Sequence, residues 1–199
     1  MSINTYPCSV RIEHARRHLR TGNEAGLEAL VELLGSDLDE LSEEWAAQER
    51  ELTPEDALRC IVLGVNENGR DIRYDATDWN DGSYTRVFEL VAQHYGEAPD
   101  GWEQTRRSWL DRIDSALAAR SSTSSVASPM CEGVEELPQG VSGSSVGYLL
   151  LEDIPQVLTD LATAIEGGLP AEIECNVADV QEWLRHCLDK QRDLVCFAD

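Results

Sequence analysis

AEIECNVADVQEWLRHCLDKQRDLVCFAD, residues 171–199, is the stretch that decides the fold. Ile173, Val177, Val180, Leu184 and Cys187 recur at alternating steps of four and three, with Trp183 and Leu188 beside them. That period puts them on one side of a helix. Lys190 and Arg192 follow, where positive charge complements the negative end of a helix dipole. The pattern then changes. Leu194-Val195-Cys196-Phe197 is a short continuous apolar run, better suited to a buried strand than to a frayed tail. A long core helix feeding a closing strand is expected.

At the other end, residues 4–10 (NTYPCSV) are a candidate first strand, with Pro7 restricting it to an edge or a bulge. Between the two ends the chain reads as helices. Residues 11–20 suggest a short one, and Asn23 a cap for the next, striped by Leu27, Leu30, Val31 and Leu34 and stopped at Gly35. Residues 36–51 are strongly acidic, with Leu38, Leu41 and Trp45 at helical spacing, and suggest a separate, more exposed helix. Thr53-Pro54-Glu55-Asp56 is a strong helix start. Residues 66–82 are a polar loop with turn signals at Asn68-Gly69 and Asp81-Gly82. Further stripes run through Tyr84–Tyr95, Trp102–Leu117 and Ile154–Ile165, and residues 146–151 suggest a strand or a buried lead-in.

The expected fold is α+β: a mainly helical single domain with a small sheet formed by the N-terminal and C-terminal strands. Residues 1–119 would form a helical body with the first strand. Residues 120–145, which open RSSTSSVAS, would form a Ser-rich flexible loop. Residues 146–199 hold only two helices and a strand, too little for a core of their own, and would pack back on the body.

Composition narrows the function classes. The chain has 199 residues, 42% of them apolar, which is globular rather than disordered. No apolar run reaches the roughly 18–20 residues of a membrane span, and the first residues show no secretory leader, so a cytoplasmic location is expected. The formal charge is −22. Direct binding to nucleic acid or to an anionic membrane needs positive charge, so neither is expected, and a basic protein is the expected macromolecular partner. The six cysteines lack CxxC spacing and read as reduced thiols in apolar surroundings.

The chemical motifs are few. His14 and His18 have the four-residue spacing of a helical metal pair, but Arg16 and Arg17 between them repel a cation. Asp78, Asn80 and Glu89 match three positions of a calcium loop whose sixth-position glycine is missing. Cys175, His186 and Cys187 are too close in sequence to spread around one metal, nothing places Cys196 and His94 together as a nucleophilic pair, and no phosphate-cradling glycine loop is present. No cofactor, metal site or catalytic residue is expected on this basis. Trp79, inside the acidic stretch with Asp75, Asp78 and Asp81, is the kind of aromatic anchor an interface uses; a ring pinning the loop to its own body is the alternative.

The TYPCSV strand, the Trp109-Leu110-Asp111 helix, the Gly147-Tyr148-Leu149 segment, the Glu182-Trp183-Leu184 helix and the closing Leu194–Phe197 run together resemble a family of uncharacterised bacterial proteins. The layout is similar to that of YfbM-like proteins of unknown function. The resemblance implies an α+β domain and no assigned activity. The expected function is an interaction module, an immunity or accessory protein whose acids at Asp37, Glu40, Glu43, Glu44, Asp75, Asp78 and Asp81 meet a basic partner. A small-molecule enzyme with a site assembled from distant residues is the alternative, and a nucleic-acid mimic a weaker one.

Overall fold

A computed structural model describes residues 4–74, 80–99, 102, 105–120, 122, 124–131, 133–138 and 145–198. In order, the chain forms β1 (Asn4–Val10), α1 (Ile12–Arg16), α2 (Glu24–Ala47), α3 (Pro54–Leu63), a 3-10 turn at Ile72–Tyr74 and α4 (Asn80–Tyr95). Then come β2 (Thr105–Arg106), α5 (Arg107–Ala118), α6 (Ala127–Cys131), β3 (Ser145–Leu149), α7 (Ile154–Glu166), α8 (Ala171–Lys190) and β4 (Asp193–Ala198). The architecture is α+β. It separates into two compact units: Met1–Ile12, Gly96–Gly133 and Val146–Asp199 in the first, Glu13–Tyr95 and Val134–Ser145 in the second.

The first unit carries a four-stranded sheet of order β2-β1-β4-β3. The terminal strands are its centre, β1 pairing antiparallel with β4 from Thr5↔Ala198 to Val10↔Asp193. Pro7 is tolerated here for a specific reason. Ser9 exchanges both backbone hydrogen bonds with Glu97, at 2.8 and 2.9 Å, so its N–H points away from β4. Pro7, two residues earlier, faces the same way, and among the described residues β2 pairs only with Asn4 and Thr5. The missing N–H of Pro7 therefore falls where no described strand needs it.

The stripe of α8 is buried as its spacing requires. Val177, Val180, Trp183, Leu184 and Cys187 join Leu110, Ile113 and Leu117 of α5, Met130 of α6, Leu161 of α7 and Leu194 and Cys196 of β4 in one cluster. Burying each large apolar side chain contributes roughly 1.5–3 kcal/mol against leaving it in water. Gln191, at φ 56, ends the helix in the left-handed region and turns the chain into β4. Asp193 then acts as a clasp. Its carboxylate is buried and accepts from the N–H of Ile12 at 2.9 Å and of Leu151 at 2.8 Å.

Ser122, Ser124 and Ser125 of the serine-rich segment are bonded to helices. Asp114 of α5 accepts from the N–H groups of Val126 (2.6 Å) and Ala127 (3.1 Å) and from the Ser125 hydroxyl (2.5 Å). Asp160 of α7 accepts from Ser122 (2.8 Å) and Ser124 (2.5 Å). Short hydroxyl side chains are thus donors to two carboxylates more than thirty residues apart in the case of Asp160.

In the second unit α3 packs against α2 and α4. Thr53 caps α3 by accepting from the Asp56 N–H at 3.1 Å, Pro54 occupies its first turn, and Gly64 at φ 80 closes it, as the sequence indicates. Two expectations need correction. Residues 24–47 are one helix, not two divided at Gly35. An interior glycine costs only about 1 kcal/mol against alanine, and Leu27, Leu30, Leu34, Leu38, Leu41 and Trp45 keep one buried stripe in phase across it. The helix expected over residues 11–20 stops at Arg16. Beyond it the N–H groups of Arg20 and Gly22 bond to the carbonyls of Ile61 (2.8 Å) and Val62 (3.2 Å). Those carbonyls lie in the last turn of α3, where intrahelical donors run out. Asn23 stands at the cap position of α2 without a side-chain capping bond.

Candidate functional site

The acidic face expected on residues 36–51 is part of α2. Across its 24 residues this helix carries Glu24, Glu28, Glu32, Asp37, Asp39, Glu40, Glu43 and Glu44, and no basic residue. Leucine and tryptophan occupy the inward stripe, so the acids fall outward, and Asp37, Asp39, Glu40, Glu43 and Glu44 are all exposed. Glu24 pairs with Arg59 at 3.3 Å and Glu44 accepts from Gln48 at 3.1 Å. Among the described residues, Asp37, Asp39, Glu40 and Glu43 take no side-chain hydrogen bond or ion pair. Asp37, Glu40, Glu43 and Glu44, expected to act together, share this one rigid element.

The loop half of the expected site is less visible. Asp75, Asp78 and Trp79 lie outside the described residues, and Asp81 is placed only by its backbone, in the first turn of α4. That turn adjoins the end of α2, because Arg50 donates to Ser83 at 3.2 Å while its guanidinium lies 5.0 Å from the Trp45 ring centre. The calcium-loop positions from Asn80 to Glu89 are helical, since α4 starts at Asn80; Glu89 is paired with Arg86 at 2.5 Å.

Three other polar clusters were not foreseen. Asp71 is held by Arg20 (2.6 and 3.0 Å) and Arg73 (2.8 and 3.2 Å), and its carboxyl is driven far below the usual range, chiefly by the Arg20 and then the Arg73 hydrogen bonds. This clamp anchors the turn that displays Tyr74, which is 80% exposed. Glu97 accepts from His186 at 3.0 Å, with Arg192 at 3.4 Å and Lys190 at 3.6 Å. Its pKa is lowered, first by His186. Trp102, expected to open a helix that starts only at Arg107, instead packs against Trp183 and His186, with ring centres 6.0 and 5.2 Å away. The third cluster gathers around Tyr95. The partners of Glu97 are 89 or more residues away in sequence, so no local pattern marks them.

Each shifted carboxylate, Asp71, Glu97 and Asp160, is lowered, which holds it as an anion. The Cys187 thiol moves the other way: burial pushes it up to about 12, leaving it a protonated core group. Cys8, Cys60 and Cys196 are also buried, while Cys175 is exposed. Among the described residues, no three His, Cys, Asp or Glu side chains converge as metal ligands, and no helix is long and apolar enough to cross a membrane.

Residues 1–199 match the domain of unknown function DUF7691, and the chain belongs to that family. No curated protein matches it, and no solved structure does.

Proposed function

We propose that this chain is a cytoplasmic protein-interaction module whose α2 face docks a basic partner, in the manner of bacterial immunity or accessory proteins that mask a toxin or nuclease. The layout similar to YfbM-like proteins belongs to the same reading. The observation that carries it is a helix loaded with eight acids and no base. Glu44 stands in its last turn, where the dipole disfavours negative charge by about 0.3–1 kcal/mol. Asp37/Glu40, Asp39/Glu43, Glu40/Glu43 and Glu40/Glu44 are like-charge neighbours, each costing roughly 0.2–0.5 kcal/mol. A basic surface seated on this face relieves both costs at once, and the same field speeds its approach. Trp79, Asp75, Asp78 and Asp81 remain in the proposal as further partner-binding residues.

The test uses a tagged chain expressed in its native host and captured at low salt. A basic protein should be retained, released at high salt, and lost from the D37N/E40Q/E43Q/E44Q variant, whose thermal midpoint should not fall. Retention of no protein at low salt, or equal retention by that variant, refutes the reading.

A further inference from the structure

Three of the chain's four histidines meet at one tyrosine. His18 stacks on Tyr95 with ring centres 5.4 Å apart and planes 12° from parallel. His94 and His14 stand edge-on to the same ring, at 5.1 and 6.5 Å. The Arg17 guanidinium lies 5.2 Å from the ring centre and donates through Nε to His18 Nε2 at 3.2 Å. That bond fixes the neutral His18 tautomer. Nε2 accepts, so the proton sits on Nδ1, where it is a donor. His94 lies in the last turn of α4. His14, Arg17 and His94 are exposed. Among the described residues, no carboxylate pairs with His14, Arg17, His18 or His94. On a chain of formal charge −22, four nitrogen-bearing side chains thus converge on one ring with no acid among them.

From this juxtaposition we propose that His14, Arg17, His18 and His94, arrayed around Tyr95, bind a phosphate group. A phosphate offers several strong acceptor oxygens. The terminal N–H groups of Arg17, not used by the bond to His18, match two of them in one plane. The imidazoles supply the remaining donors, and Tyr95 serves as the platform that keeps the guanidinium flat. The overall negative field opposes any anion at long range, so recognition rests on these short-range donors. The group comes either as free phosphate or on a small organic phosphate, whose ring would stack on the exposed His14 and His94.

Proton NMR of the whole chain at about pH 6.5, near the ordinary imidazole pKa, reads this directly through the histidine ring resonances. His186, bonded to Glu97, is the internal control. Inorganic phosphate added at constant ionic strength and pH should move three resonances on one saturating curve and leave the fourth in place. Adenosine monophosphate is the second arm: tighter binding assigns the site to organic phosphates, equal binding to the free ion. Arg17→Gln should weaken either by about tenfold or more, as loss of a charge-assisted bond does. His94→Gln, at an exposed position, should weaken it with the other two resonances still dispersed. Non-saturating shifts, movement of His186 in step with the rest, or unchanged affinity in both variants overturns the proposal.

Discussion

Gly147 sits in β3 against the backbone of α6, and alanine there should be the most damaging methyl group that can be added among the described glycines. A Cβ built at this position falls 2.0 Å from the Met130 carbonyl carbon and 2.3 Å from the carbonyl oxygens of Met130 and Pro129. Carbon atoms pack at about 3.5–4.0 Å, so roughly 1.5 Å must be opened. No rotamer change relieves it, because every neighbour is backbone. Nor is α6 free to slide. Asp114 holds its first turn through Val126, Ala127 and Ser125, while Val126 and Met130 are fully buried. Overpacking typically costs 1–3 kcal/mol, and with both walls fixed about 3–4 kcal/mol is expected for Gly147→Ala. For a chain of this length that lowers the thermal midpoint by about 6–16 °C. Urea unfolding followed by far-ultraviolet circular dichroism and by tryptophan fluorescence measures it. A loss below about 1 kcal/mol would mean that β3 and α6 are not in contact as described, and would refute the reasoning.

The same substitution at Gly35 should have the opposite sign. A Cβ there meets nothing within 4 Å, so Gly35→Ala should raise stability by about 0.5–1 kcal/mol in the same unfolding assay. Asp193→Ala leaves the N–H groups of Ile12 and Leu151 without acceptors and should cost about 2–5 kcal/mol, with Asp193→Asn, which keeps one acceptor oxygen, in between. His18 has a pKa below the ordinary imidazole value, through partial burial first and Arg17 second. The unfolded chain therefore takes up this proton more readily, so the stability tied to neutral His18 is present above about pH 6.5 and is lost as pH falls below it. Thermal midpoints should drop more between pH 7.5 and 5.5 for the natural chain than for His18→Gln; parallel curves would contradict this. Asp71 is lowered by its two arginines, so its contribution is present above about pH 4 and lost on further acidification, and Asp71→Asn should flatten the acid limb of the stability curve.

The helices and the terminal strands were legible because their signals are periodic and local. The α8 stripe and the apolar run after it specify a core helix and a buried strand without knowledge of the partners. Gly35 misled for the converse reason: a glycine signals a stop only when the stripe also ends, and Leu34, Leu38 and Leu41 carry it through. The end of α1 is set by carbonyls of α3 some forty residues away, which local propensity does not contain. The same holds for the polar clusters. The acids of α2 were visible as a run, whereas Glu97 with His186, or Tyr95 with His14, became neighbours only through the fold.

The carboxylates of this chain divide into two kinds, and the division bears on what the charge is for. Asp114, Asp160 and Asp193 each accept two or three hydrogen bonds from segments distant in sequence, and Asp71 takes two arginines. Such acids fix the backbone, and replacing them should unfold something. Asp37, Asp39, Glu40 and Glu43 accept nothing among the described residues and stand where their own like-charged neighbours disfavour them. A net charge of −22 cannot distinguish these kinds. The hydrogen bonds can, and they leave the C-terminal half of α2 as the place where negative charge carries a cost to the fold with no structural return. Neutralising those four side chains should therefore hold or raise stability while removing any partner that depends on them. Neutralising Asp193 or Asp114 should lower stability whether or not a partner is bound.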